Sequence, residues 1–276
     1  IMGGIDWLQQ GQSHDAVLVT NKKNNYQMDF GAALNNNNEA LYESAYVTNY
    51  KNMQFIWFNQ KFSKLSLSFL ALNNGYQYEN LVENKFQVAY LQTLGTYGKW
   101  DASKFYGDFG LYAQTGEAAI TNDKVDVGAY YAGFNLGYKF TNPFKAELGF
   151  EYLSGKDQND TDTKVKSFTP LFGTNHGFNG LMDYFYVGNH KNSVGLQDFY
   201  TKFIYDKNKW QVTFAPHLFY SAASVYNMTT LEEQDSYLGT EIDLTATYKM
   251  DKNFVISGGV SKMFASDTME ILKGGN

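Results

Sequence analysis

The chain has 276 residues, a net charge of −6, a sequence pI of about 5.2 and a mean hydropathy of −0.42. That acidic balance argues against a nucleic-acid binder, and no run approaches the ~20 apolar residues of a membrane-spanning helix. There is no cysteine, which excludes a disulfide scaffold and thiolate metal sites, and all 22 basic residues are lysine.

Tyr and Phe contribute 22 residues each, with 25 Gly and only 3 Pro, a composition suited to β-structure that is wet on one face. Period-two segments recur along the whole length. In chain order they are 13–22, 25–34, 53–61, 64–73, 84–98, 103–115, 124–140, 144–155, 196–205, 209–221, 238–249 and 253–265. In 25–34, Tyr26, Met28, Phe30 and Ala32 oppose Gln27, Asp29 and Gly31. In 144–155, Phe144, Ala146, Leu148, Phe150 and Tyr152 oppose Lys145, Glu147, Gly149 and Glu151. Most segments reach about ten residues, the length of a tilted membrane strand and longer than the ~5–6 of ordinary globular strands.

Short connections at 22–24, 62–64, 100–103, 141–143, 206–209 and 250–253 alternate with longer ones at 35–52, 74–83, 116–123, 156–195 and 222–237. Tight turns on one rim and extended loops on the other are the pattern of an outer-membrane barrel. Trp210 and Phe144 open strands after short turns, while Tyr138, Phe140 and Tyr248 close strands before them, where an interfacial girdle belongs. Pro143 lies in a turn, and Pro216, inside a strand, predicts a bulge or a missing ladder bond. The reading is all-β: one transmembrane antiparallel up-and-down barrel over 1–276, with a long extracellular loop at about 156–195. A soluble sandwich or propeller is the competing architecture, with shorter strands and a repeat that this sequence lacks.

Three stretches go beyond pattern: GGIDWLQQGQSHDA (3–16), YLSGKD (152–157) and KSFTPLFGTNHGFNGLMDYF (166–185) followed by VGLQDFY (194–200). Ser154, Gly155, Phe168, Pro170, Phe172, His176, Gly180, Asp183, Leu196 and Asp198 match in order the pattern of the alginate-export family of outer-membrane barrels, which the chain resembles. The resemblance implies a signal peptide and further strands before the Ile-Asp-Trp region and a closing strand after the last residue, giving 14–18 strands in all. The opening IMGGIDW, without a basic n-region or apolar h-region, fits a processed or incomplete chain. The family also implies passage of an anionic polysaccharide through a pore lined with basic groups. Here the chain departs from it, because arginine is absent and lysine is only a point charge.

The charges on lumen parity are mixed. Lys139, Lys145, Lys202 and Lys249 stand against Asp108, Glu147, Glu151, Glu241 and Asp243, with Gln211 and His217 among them. They read either as solute-lining groups or as ion pairs that brace the interior. In the long loop, His176 and Asp183 are candidates for a site, and Phe168, Leu171, Phe172 and Phe178 for a small apolar cluster. The acidic run DQNDTD (157–162) leaves room for one weak Ca²⁺ site, although its spacing is not that of an EF-hand. No nucleophile–His–carboxylate constellation is recognisable and no cofactor is expected, so the reading is not an enzyme. The expectation is a channel in a Gram-negative outer membrane that passes a hydrophilic solute, an oligo- or polysaccharide above all. The alternative is a structural or docking barrel in a larger envelope complex. Lipid, lipopolysaccharide, the solute or glycan and envelope proteins are the expected partners, and nucleic acid is not.

Overall fold

A computed structural model describes residues 14–35, 50–120, 122–140, 142–173, 176–185, 190 and 193–274. Most of the N-terminal motif at 3–16 and of the first long connection therefore lies outside the described residues. Twelve strands form one antiparallel sheet in sequence order. They are β1 (Ala16–Lys23), β2 (Tyr26–Leu34), β3 (Asn52–Lys61), β4 (Leu65–Asn80), β5 (Lys85–Ala102), β6 (Phe105–Ile120), β7 (Asp123–Lys139), β8 (Phe144–Leu153), β9 (Leu196–Lys207), β10 (Trp210–Tyr220), β11 (Tyr237–Lys249) and β12 (Val255–Ala265). Each pairs with its sequence neighbours, the expected up-and-down order, and β1 and β12 are the two edges. A short helix, α1 (Asp267–Lys273), follows β12 and is capped by the Ser266 side chain.

The polarity of the sheet is inside-out. Phe134, Leu148 and Phe214 are 45%, 60% and 39% exposed, whereas Asn74, Asp198 and Glu241 are fully buried. In a soluble sheet the order would be reversed, since apolar surface leaves water first. The outer face instead presents hydrocarbon-compatible groups, and at its short-turn end aromatic pairs bridge neighbouring strands. Trp210–Tyr248, Phe105–Tyr138 and Phe144–Tyr205 have ring centroids 4.7, 4.9 and 5.4 Å apart. These are the girdle residues expected from strand ends, and amphipathic rings are best solvated at such an interface.

The inner face is concave, as contacts between strands that are not neighbours show. Tyr106 on β6 donates to Glu147 on β8 at 2.8 Å, and Lys139 on β7 reaches Asp101 on β5 at 2.7 Å. Inward tyrosines lie flat over inward glycines of adjacent strands: Tyr112 over Gly95, Tyr106 over Gly137 and Tyr200 over Gly149. A side chain at any of these glycines would occupy the space of the ring.

Two expectations need correction. Residues 74–80 and 116–120 are strand, not loop, and the tight connections 81–84 and 121–122 join β4 to β5 and β6 to β7. Asn73, at the end of the expected strand, bridges Gln54 and Gln92 across the outer face at 2.7 Å each. Pro216 interrupts the β9–β10 ladder without shifting its register, so it is a missing bond and not a bulge.

Candidate functional site

The inner wall and the loop that crosses it form the candidate site. The loop between β8 and β9 (154–195) turns back into the concavity as soon as β8 ends. Ser154 starts this turn: its hydroxyl accepts from the Tyr130 amide at 2.9 Å and donates to the Lys166 carbonyl at 2.7 Å. Gly155 meets the Val194 backbone so closely that any Cβ would collide with it, which draws the two stems of the loop together.

From there the loop is fastened strand by strand. Val165 bridges to Val127 of β7. The Gln114 side chain on β6 brackets Thr169, donating to its carbonyl at 2.8 Å and accepting from its amide at 3.1 Å. Phe168 enters the larger apolar cluster beside Tyr131, with ring centroids 5.6 Å apart. Leu171 and Phe172 reach the second cluster, built on Ala33, Tyr50, Met53 and Leu72. The expected loop cluster is thus not self-contained: Phe168, Leu171 and Phe172 pack on strands, and Phe178 stays exposed.

The far end of the loop settles on carboxylates. Asn179 donates to Glu151 of β8 at 3.1 Å and to Asp198 of β9 at 3.3 Å. Backbone amides of Leu181 and Met182 donate to Asp243 and Glu241 of β11 at 3.2 and 2.9 Å. Gly180 holds a left-handed φ of 78° against the Glu241 carboxylate. His217 on β10 donates to Asp198 at 2.9 Å, and its other ring nitrogen lies 3.9 Å from Asp243. Beyond this latch the Phe185 ring packs at a tilt against Phe219, centroids 4.7 Å apart, and Lys273 of α1 donates to the Tyr184 carbonyl at 2.6 Å. Buried His190 donates to the Phe185 carbonyl at 3.1 Å. Burial, reinforced by Lys273, pushes the His190 imidazole down to about 4.

Between the latch and the short turns the inner wall from β5 to β9 carries polar side chains that are half-exposed or exposed. One line of strand partners reads Asp101, Tyr106, Gly137, Glu147, Lys202, and the next reads Lys99, Asp108, Asn135, Gly149, Tyr200. Lys202 sits over the Tyr200 ring at 4.8 Å and Lys139 over Tyr106 at 5.2 Å. Lys145 is held loosely by Asp206 at 3.6 Å.

The ten lumen positions expected from parity all lie on the inner face, but they divide. Lys139, Lys145, Glu147, Lys202 and Gln211 line the open section, and Lys249 sits exposed at the rim. Glu151, Glu241 and Asp243 lie beneath the loop and accept hydrogen bonds from it, and buried His217 pairs with Asp198 beside them. His176 and Asp183 pair at 2.6 Å on the exposed side of the loop, with Asp183 also accepting from the Gly177 amide. In the acidic run, Lys166 lies 2.6 Å from Asp160 and 3.3 Å from Asp162. That ammonium holds the Asp160 carboxyl below the usual range and is itself raised; for Asp162 the Lys164 amide acts first and Lys166 second. Among the described residues, no three His, Asp or Glu side chains gather as a metal site. Sequence reasoning missed Gln114 and Asn179 as loop partners. Gln114 shares parity with Asp108 and Tyr112 and was recoverable from that, whereas nothing local marks Asn179.

No family model matches the sequence, and no curated protein matches it. The alginate-export resemblance therefore has no matching family model behind it. Among solved structures, the chain is similar to the crystal structure of Pseudomonas aeruginosa OccK11 (OpdR), with a TM-score of 0.60 and 12% identity over 96% of this chain and 68% of that one. The fold is that of an outer-membrane β-barrel.

Proposed function

We propose that the protein is a channel of the Gram-negative outer membrane, passing a hydrophilic solute along the polar inner wall with the 154–195 loop as its constriction. The observation that carries this is the inside-out sheet. An apolar exterior has no use in water, and a polar concavity spanned by one loop has a clear use in a membrane. The likeness of fold to OccK11 supports the same reading. In this reading the barrel's partners are outer-membrane lipid and lipopolysaccharide, and the chemistry is passage without catalysis.

For the solute, the finer form of the proposal is an oligo- or polysaccharide. Its support is the wall itself, where the exposed Tyr97 ring and the Tyr106 and Tyr200 hydroxyls stand near Glu147, Asp108 and Lys202. Flat aromatic surface with hydroxyls, carboxylates and ammonium groups alongside is chemistry that binds sugar rings. The mixed signs favour weak ion selectivity.

Purified protein in planar bilayers should conduct, and deleting 158–190 should enlarge the single-channel conductance. A folded barrel that conducts no better than bare lipid, both with and without the loop, would overturn the proposal. A second reading, a structural or docking barrel, draws on how far the loop reaches, from β2 to β11. It predicts a stoichiometric protein partner after mild-detergent purification and a channel that stays shut.

A further inference from the structure

Charge is not evenly divided between the two rims. Take each short connection on the β1–β2 side with the last two residues of the strand before it and the first two of the strand after. These six windows (22–27, 60–66, 101–106, 138–145, 206–211 and 248–256) hold eleven lysines and three aspartates. Every window has a lysine and five of the six have two. The five corresponding windows on the opposite rim hold, among the described residues, ten acidic side chains and six lysines. In a chain of net charge −6, a cationic rim is a local concentration and not a reflection of composition.

Position along the strands separates two uses of such a ring. Lysines that meet lipid phosphates would point outward, beside the aromatic girdle. Lys23 and Lys207 do so, sharing parity with Tyr26 and Trp210 as strand partners. Lys22, Lys61, Lys139, Lys145 and Lys249 lie instead on inner-face parity, around the opening. Lys139 and Lys145 are even direct partners across the β7–β8 ladder, an arrangement that repels. Asp101 relieves Lys139, but Asp206 stands 3.6 Å from Lys145, and the two lysines share an open cleft of about 360 Å³ walled by Phe140 and Phe144. Adjacent short turns are two strand spacings apart, about 10 Å, so the charges are spread round the rim. One threading chain meets few of them at a time, whereas an acidic surface laid across the opening meets many.

We infer that the short-turn rim is a docking face for an acidic polypeptide, with Lys139, Lys145 and Lys249 at its centre. Full-length protein in zwitterionic phosphatidylcholine nanodiscs, titrated with a labelled oligoglutamate peptide by anisotropy, tests it without ion flow. A channel that proves not to conduct thus leaves the test intact. Binding should appear for oligoglutamate and not for oligoglutamine, and should weaken about tenfold between low and physiological salt, as screened charges require. The K139Q/K145Q/K249Q triple variant should bind about tenfold more weakly, while the outward K23Q/K207Q variant stays within about twofold of the parent. Circular dichroism checks that each variant is folded, and the salt dependence of the unaltered protein stands whatever the variants do. Absence of binding by the folded parent would overturn the inference. So would equal losses in the two variants, which would point to headgroup contacts, or a uronate oligomer of equal charge binding as tightly as the peptide.

Discussion

His190 shows how one buried side chain couples a loop to pH. Its ring is 4% exposed and donates to the Phe185 carbonyl, next to Lys273. An imidazole free in the opened loop protonates near 6.5, but in place it does so only near about 4. Below 6.5 the opened loop therefore binds the proton that the closed one refuses. The stabilisation is complete above pH 6.5 and is lost as pH falls toward 4, by up to about 3 kcal/mol at the low end. Amide exchange in 176–185 should accelerate across that window, and H190Q should flatten the dependence. Exchange that is indifferent to pH from 7 to 4 would count against this account.

At the scale of elements, the loop is held less by its own sequence than by where its stems are pinned. Gly155 has no room for a Cβ because the Val194 backbone occupies that place, and the adjoining Gly195 takes a left-handed φ of 68°. A methyl at 155 must push backbone, which is stiffer than a side-chain tip. G155A should therefore destabilise the protein by about 1–3 kcal/mol and make the loop more sensitive to limited proteolysis, while the strands keep their far-UV signature. The Ser-Gly pair at 154–155 was visible as a motif before its mechanical reason was. The extension of β4 beyond Asn73 was not visible, because Asn-Asn-Gly is turn chemistry wherever it is met alone. Only cross-strand amide partners turn it into sheet.

For the whole molecule, the decisive quantity is which face meets hydrocarbon. Leu148 points outward in the middle of β8, and Thr213 points inward on β10. L148K should cost about 2–4 kcal/mol in reversible unfolding from lipid vesicles, and T213K, whose ammonium enters the polar concavity, should cost under 1 kcal/mol. Equal costs at the two positions would remove the membrane from the argument.

Alternation alone located the twelve strands of the described residues, though not the ends of β4 and β6, and determined which side chains share a face, since a period of two leaves no other choice. Strand length and loop sorting pointed to a bilayer, and the exposed Phe134, Leu148 and Phe214 agree. What parity does not contain is the fate of an inward charge. Glu147 and Lys202 face an open wall, while Glu151 and Glu241, on the same parity, are sealed beneath Asn179 and the 181–182 amides. That division was set in three dimensions, because a loop of some forty residues reaches partners that no local spacing encodes. It chose those carboxylates through the Asn179 side chain and the 181–182 backbone amides, donors that had to find acceptors once water was excluded.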